Sequence, residues 1–263
     1  MVAFSGGVDS TLVAAVATRA LGDKALAITG KSASLPKSEC EAAKNLSKKI
    51  GIRHQFIDTD EIKRPDYVAN AGNRCYHCKS ELYEHLEPIA AEQNAIIVNG
   101  TNKDDLEDVR PGLIAASEHG VRSPLVEASL GKDDVRAISK LLDLPNWDKP
   151  AMACLASRIP VGTEVSIDLL NNIENAESYI RALGVDVLRV RHHGTVARIE
   201  VDESGLSIVF RHKLQITKRL KQLGYRFITV DLDGYRSGSL NPRNPLEDCQ
   251  PRKVIQTDRK HNS

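Results

Sequence analysis

A chain of 263 residues with 41% hydrophobic content can bury a sizeable core, and suits one large domain or two small ones. Net charge is +1, from 36 basic and 35 acidic residues, so the positive excess of a dedicated nucleic-acid binder is missing, and no run approaches the ~18 apolar residues of a membrane span. Five cysteines, an odd number, without a charged-then-apolar leader, point to a reducing, cytoplasmic setting and to thiol or metal chemistry.

The chain opens on Val2-Ala3-Phe4, stopped by Ser5, Gly6 and Gly7. Val8, Asp9, Ser10 and Thr11 follow, and apolar residues then recur at helical spacing as far as Leu21. The order predicts strand, tight turn, helix. Paired glycines let the backbone turn sharply and approach a ligand closely. The helix start offers unpaired N–H groups and the positive end of its dipole to an anion. Hydroxyls on Ser5, Ser10 and Thr11 add donors, so phosphate is the expected anion. No Gly-Lys-Ser/Thr closes the loop, which sets it apart from the Walker pattern. The competing reading is an ordinary glycine turn before a helix.

Further along, residues 25–29 read as a strand, 38–50 as a helix ended by Gly51, 54–57 as a third strand, 79–93 as a helix and 96–99 as a fourth strand. Strands alternating with helices predict an α/β fold with a doubly wound, mostly parallel sheet. Ligands of such sheets sit at the carboxyl ends of the strands. Those ends carry Ser5-Gly6-Gly7, Thr29-Gly30-Lys31 and Asn99-Gly100-Thr101-Asn102. A helix over 133–142, capped by Asp133, completes the first domain, expected over 1–149. Residues 150–162 look like a seam, too irregular for an element and too apolar for a disordered linker. Beyond it the pattern becomes α-β-β-α-β: a helix over 167–183, strands over 186–191 and 195–201, a helix over 214–223 and a strand over 226–232. This smaller α+β unit, 150–241, is expected to be a second domain, and 242–263 a mobile tail.

Arg74-Cys75-Tyr76-His77-Cys78-Lys79 holds a Cys-x-x-Cys pair, and a third cysteine lies in Ala153-Cys154-Leu155-Ala156-Ser157-Arg158. A four-cysteine zinc site lacks its second pair. Three thiolates on a 4Fe–4S cluster leave one iron open, where a substrate or an extra sulfide can bind. Alternatives stay open: a redox pair at Cys75 and Cys78, although they are not expected to open a helix after a strand; zinc, with His77 poorly placed between them; or simple packing of Cys154. Cys40, inside a helix, and Cys249, in the tail, need no function.

Ser5-Gly6-Gly7-Val8-Asp9-Ser10 closely resembles the PP-loop of ATP pyrophosphatases, which cleave ATP between the α- and β-phosphates and place AMP on a substrate oxygen. The resemblance implies that Asp9 helps hold Mg²⁺ and that the loop contacts pyrophosphate. Enzymes of this kind commonly carry a helix before the strand that here starts at Met1. Residues 99–105, with Asp108 and Arg110-Pro111-Gly112, look like the second nucleotide-side motif of that superfamily; a solvated acidic loop is the alternative. Adding Arg74-Cys75-Tyr76-x-Cys78-Lys79, Ser117-Glu118, Asn146-Trp147-x-Lys149, Ser157-Arg158-x-Pro160-x-Gly162 and Asp231-Leu232-x-Gly234-Tyr235-Arg236-Ser237-Gly238, the chain is similar to the LarE family of ATP-dependent sulfur transferases from the loop to about residue 241.

That resemblance implies a great deal. Family members adenylate a carboxylate of a pyridinium dicarboxylate mononucleotide and replace the AMP with sulfur, making the organic part of the nickel-pincer nucleotide cofactor of lactate racemase. Some sacrifice a single cysteine near the Ser-Arg motif and lack the cysteines at 75 and 78. This chain is similar instead to three-cysteine members, which hold an iron–sulfur cluster on the counterparts of Cys75, Cys78 and Cys154 and deliver a cluster-bound sulfide. ATP, Mg²⁺ and a 4Fe–4S cluster are the implied cofactors, a sulfide donor an implied partner, and a homohexamer the implied assembly. The substrate is anionic, so Arg158, Arg189 and Arg191 are the expected cationic contacts. Arg189 and Arg191 alternate on a strand and share a face; by resemblance Glu177 lines the same site. Nucleotide and sulfur sites should face one pocket, since an acyl-adenylate meeting water hydrolyses. The rival readings are a tRNA thiolase, which needs a basic surface, an amide-forming NAD or GMP synthetase, which has no use for the cysteines, and a non-catalytic metal scaffold, which has no use for the loop.

Overall fold

The computed structural model describes residues 1–106, 111–150 and 153–236. Asp108, Arg110, Ser237, Gly238, Cys249 and the expected tail lie outside them. The described chain is an α/β structure with two three-stranded sheets. In chain order come β1 (Val2–Ala3), α1 (Val8–Leu21), β2 (Leu26–Lys31), α2 (Lys37–Ile50), β3 (Arg53–Asp58), α3 (Pro65–Ala69) and α4 (Arg74–Glu92). Then follow α5 (Pro111–Glu118), α6 (Pro124–Glu127), α7 (Lys132–Leu141), α8 (Ile167–Arg181), β4 (Leu188–His193), β5 (Val196–Val201), α9 (Glu203–Arg211), α10 (Lys213–Gln222) and β6 (Phe227–Val230). None of the described helices is long and apolar enough to cross a membrane.

The first sheet runs β1-β2-β3, all parallel. Its alternation explains its burial. Ala25 and Ala27 point into a layer with Leu12 and Val13 of α1, Ala43 and Leu46 of α2, and Val135 of α7. Leu26 and Ile28 point the other way, onto Tyr83, Leu86 and Ala90 of α4 and Ala115 and Ala116 of α5. Helices therefore cover both faces, as parallel strands require. The expected fourth strand shrinks to a single bridged residue: Val98 pairs with Val2 on one side and Arg122 on the other. It stops there because the Asn99 side chain turns to accept from Thr101 N at 3.0 Å and Ser123 Oγ at 2.9 Å, swinging the chain toward α1. β1 is thus central, held by β2 and by 96–98; the Met1 amine donates to Ile96 O at 2.9 Å.

The second sheet pairs β4 antiparallel and β6 parallel to β5. Leu188, Val190, Ala197, Ile199 and Val201 pack on α8, α9 and α10. Helix α9 was absent from the α-β-β-α-β expectation. Its Ser204-Gly205 reads as a turn in sequence, but Asp202 Oδ1 accepts from Gly205 N at 2.8 Å and caps a helix there. Two other starts differ. α7 begins at Lys132, capped through Gly131 N donating to Asp134 at 3.0 Å, so Asp133 is not the cap. α4 begins at Arg74, so the Cys75 and Cys78 pair does open a helix, though after α3 rather than after a strand.

Within the expected seam, residues 153–162 form a strap around a 3-10 turn, Leu155–Arg158, in which Leu155, Ala156, Arg158 and Ile159 are buried. Leu155, Ala156 and Ile159 join Tyr67 of α3 and Leu170 and Ile173 of α8 in one apolar cluster. Backbone bonds fix the strap to the first sheet's loops: Leu155 N to Ser34 O at 2.8 Å and Gly162 N to Asn70 O at 2.9 Å. The Asn70 amide adds bonds to Pro160 O at 2.8 Å and Thr163 O at 3.0 Å.

Candidate functional site

The loop between β1 and α1 is strand, turn, helix in fact. Gly6 takes a φ of +72°, where a side chain would be strained, and Gly7 is the extended N-cap of α1. Ser5 Oγ and Ser10 Oγ lie 3.1 Å apart and Ser10 Oγ donates to Gly7 O at 3.1 Å, closing the turn from within. Asn146 braces it from outside, its amide donating to Gly6 O at 3.1 Å and Thr11 Oγ1 at 3.0 Å. The result is a rigid ring of backbone ahead of the N–H groups of Val8, Asp9 and Ser10.

Gly100 seats against this helix start. A β-carbon there would meet Ser10 N at 2.6 Å and Asp9 C at 3.0 Å, backbone atoms that cannot yield separately from the loop. Gly100→Ala is therefore expected to destabilise the fold by about 1–3 kcal/mol through overpacking, and to weaken nucleotide binding with it. Thermal unfolding and ATP titration of the variant check this.

Asp9 projects from the first turn of α1 and is gripped from two sides. Asn102 Nδ2 donates to its Oδ1 at 3.0 Å and Lys132 Nζ to its Oδ2 at 2.6 Å. Lys132 N donates in turn to Asp104 Oδ2 at 2.7 Å, and Asp104 N to Asn102 Oδ1 at 2.9 Å. So the acidic loop is partly a scaffold, and it sets carboxylates at the mouth of the phosphate cradle. Lys132 was not singled out from the sequence; it hides as an ordinary lysine at a helix start, and only its distance to Asp9 marks it. Thr29 lies at the strand end as expected, but its hydroxyl donates to Phe4 O at 2.6 Å. Its remaining contact, His54 Nε2 at 2.9 Å, then requires the proton on that nitrogen. Thr29 ties β2 to β1 and holds His54, whose pKa burial lowers.

The three cysteines are brought into one neighbourhood. Cys78 and Cys154 pack against the same apolar cluster around Tyr67 and Leu155, and Cys75, exposed, sits one turn before Cys78 on α4. Burial first, then the Glu61 carboxylate and Cys154, push the Cys78 thiol well above its ordinary range. Burial opposes the charge on Lys79 too, but Tyr83 and the thiols of Cys78, Cys75 and Cys154 outweigh it and hold its pKa above the usual value. A thiol so reluctant to ionise is a poor free nucleophile, and becomes a thiolate once a metal supplies the positive charge. Among the described residues no three Cys, His, Asp or Glu side chains close on a single metal ion. The donor set is soft and all sulfur, the ligand type of iron–sulfur clusters.

The expected cationic contacts share one region but are engaged with protein. Arg158 is 0% exposed. Its Nε and Nη2 donate to the two oxygens of Glu177 at 2.9 and 3.1 Å, and its Nη1 to the carbonyls of Ala153 at 2.7 Å and Cys154 at 2.9 Å. Glu177 also accepts from Val190 N at 3.0 Å. Arg191 pairs with the fully buried Glu200 at 2.9 Å and donates to Ser157 O at 2.9 Å. Arg189 lies 5.1 Å from the Tyr235 ring centroid, its pKa lowered by burial and by Arg158. Arg158 thus holds the backbone on which Cys154 sits. Glu177→Ala strands a buried guanidinium, at an expected cost of about 3–5 kcal/mol, measurable by denaturant unfolding.

Comparisons with known proteins cover different lengths of the chain. The NAD synthase family model matches residues 1–78, the stretch from the phosphate loop to the cysteine pair. A glutamine-hydrolyzing GMP synthase component of Sulfurisphaera tokodaii is 31% identical over 158 residues, 54% of this chain and 42% of that protein. Other relatives run nearly the full length. The uncharacterized protein slr1717 of Synechocystis sp. is 46% identical over 92% of this chain and 91% of its own. The pyridinium-3,5-bisthiocarboxylic acid mononucleotide synthase of Lactiplantibacillus plantarum is 38% identical over 91% of this chain and 88% of its own. A phosphate loop of the PP-loop type, in a chain that a pyridinium-3,5-bisthiocarboxylic acid mononucleotide synthase matches over nine-tenths of its length, leads to one assignment: the chain belongs to the LarE family of such synthases, within the PP-loop superfamily.

Proposed function

We propose that the protein is an ATP-dependent sulfur transferase that adenylates a carboxylate of pyridinium-3,5-biscarboxylic acid mononucleotide and exchanges the AMP for sulfur, yielding a thiocarboxylate for the nickel-pincer nucleotide. The observation that carries this reading is the convergence of Cys78 and Cys154, 76 positions apart in sequence, on one cluster tied by Leu155 N to the loop following β2.

In the first step a substrate carboxylate oxygen bonds to the α-phosphorus of ATP, and the bond from that phosphorus to the bridging oxygen breaks, releasing pyrophosphate. A carboxylate is a poor electrophile because oxide is a poor leaving group; as an acyl-adenylate it loses AMP readily. The N–H groups at the start of α1 and the hydroxyls of Ser5 and Ser10 hold the pyrophosphate, where preorganised donors lower the barrier. Asp9 would hold Mg²⁺, an ion that takes one or two carboxylates and the phosphates, and Lys132 adds a positive charge beside it. In the second step hydrosulfide attacks the acyl carbon: the C–S bond forms, the C–O bond to AMP breaks, and the thiol proton is lost to solvent. A 4Fe–4S cluster on Cys75, Cys78 and Cys154 would supply that sulfur from its open iron. Arg189 and Arg191, alternating on β4, would meet the anionic groups of the substrate. Arg158 and Glu177 position the Cys154 backbone.

Anaerobic purification with iron and acid-labile sulfide counts, followed by AMP and pyrophosphate assays with and without the mononucleotide, tests the reading. AMP release that depends on the mononucleotide supports it. AMP release that depends on tRNA instead, or iron without any AMP release, overturns it.

A further inference from the structure

Beside the thiols lies a buried polar cluster that the chemistry above leaves unused. Glu61, in a 3-10 turn after β3, is 2% exposed, and Tyr67 of α3 is 1% exposed. One carboxylate oxygen of Glu61 accepts from Ser34 Oγ at 2.9 Å; the other, Oε2, is buried and has no partner. The Tyr67 hydroxyl approaches Ser34 but meets no partner at hydrogen-bonding geometry, and it too is buried. A buried polar atom left without a partner loses its hydration for nothing in return, and buried polar groups are as a rule satisfied by protein, water or ligand.

The surroundings say what kind of partner fits. Tyr67 packs in the cluster that holds Cys78 and Cys154, and Ser34 O accepts from Leu155 N, next to Cys154. Ser34 thus joins the two, its hydroxyl bonded to Glu61 and its carbonyl to Leu155 of the cluster that holds Tyr67, Cys78 and Cys154. The orphans are one donor and one acceptor. A halide has no proton to offer Glu61. Hydrosulfide has both features: lone pairs to accept from a phenol and one S–H to offer a carboxylate.

We propose that Tyr67 and Glu61 form the seat of the transferable hydrosulfide, the Tyr67 hydroxyl donating to its sulfur and its S–H directed at Glu61 Oε2. The proposal rests on the reading of Cys78 and Cys154 as the sulfur site. Neither side chain reacts. Both are positioning residues, holding the sulfur with its remaining lone pairs free for the acyl carbon and leaving the bonds of the transfer step as written above.

The test uses the full chain, handled anaerobically, with sodium hydrosulfide in equilibrium dialysis and hydroselenide in crystal soaks. Bound sulfide is expected to need about ten- to a hundredfold more hydrosulfide in Tyr67→Phe, the loss of one hydrogen bond to a charged group. The same variant should unfold at an unchanged or higher temperature, because the hydroxyl it removes has no protein partner; a merely structural hydroxyl would show the reverse. Glu61→Gln, which keeps an acceptor for Ser34, provides the second arm and should weaken binding likewise. Selenium anomalous signal within hydrogen-bonding reach of Tyr67 Oη and Glu61 confirms the seat. Only a water at that position, or equal hydrosulfide binding in both variants, overturns it. Iron anomalous signal at Cys75, Cys78 and Cys154 is read from the same crystals. Iron present with only water at Tyr67 sinks the seat alone, and selenium at Tyr67 without iron sinks the cluster alone.

Discussion

Asp9→Ala is expected to abolish AMP and pyrophosphate formation, by a factor of at least about 10²–10³, the range for removing one preorganised electrostatic group from a transition state. The carboxylate stands in the first turn of α1, where the cradle for the phosphates begins, and its two oxygens are held at 3.0 Å by Asn102 and 2.6 Å by Lys132. Such a grip fixes the direction in which the oxygens present themselves to a cation. Without it Lys132 loses its partner and the metal its ligand. The side chains are only partly buried, so the fold should survive, and iron content should be unchanged because the partners that hold Asp9 stand apart from the thiol neighbourhood. Stopped-time AMP assays with saturating Mg²⁺ and ATP check the first statement and iron analysis the second. Adenylation retained at the parental rate would remove the metal assignment from Asp9.

Cys154→Ala should have the opposite pattern: iron content falling more than about tenfold, adenylation kept within about threefold, for a cluster that needs three thiolates and is left with two. The argument is again geometric. Cys154 sits at the head of the 3-10 turn, and its carbonyl is held by Arg158 Nη1 at 2.9 Å, a bond that does not depend on the side chain. The strap therefore stays in place and only a thiolate is lost. The phosphate loop, braced by Asn146 rather than by the strap, is untouched. Unchanged iron in this variant would refute the three-thiolate arrangement. Dehydroalanine at 154 in the parental protein after one turnover, seen by mass spectrometry, would instead make Cys154 itself the sulfur source.

The phosphate loop was legible because everything that makes it is local. Strand, turn and helix start lie within ten residues, and the closing bonds from Ser5 and Ser10 span five positions or fewer. The buried strand β2 and the Gly51 stop of α2, which has a φ of +77°, are local for the same reason. Helix α9 was not, since Gly205 in its first turn argues for a turn. It is tolerated because a β-carbon there would press on Val185 at 3.0 Å and Asp202 at 2.9 Å, a fact of packing that no window of sequence contains. The arginines show the same limit. Their charge and their shared face followed from spacing, but their partners, Glu177 from α8 and Glu200 from β5, come from other elements and turn them toward the protein.

What the sequence determined by itself is the chemistry on offer: an anion cradle at the first strand's end, a Cys-x-x-Cys pair of thiols, and a third with a Ser-Arg neighbour. These follow from dihedral preferences and side-chain periodicity, which act over a few residues. Where those parts meet was decided only by the tertiary structure. Lys132 faces Asp9 across 123 positions, and the strap carrying Cys154 is held against residues 34 and 70, because burial of the apolar layers around Tyr67 and Leu12 leaves one arrangement in which both sheets keep their faces dry.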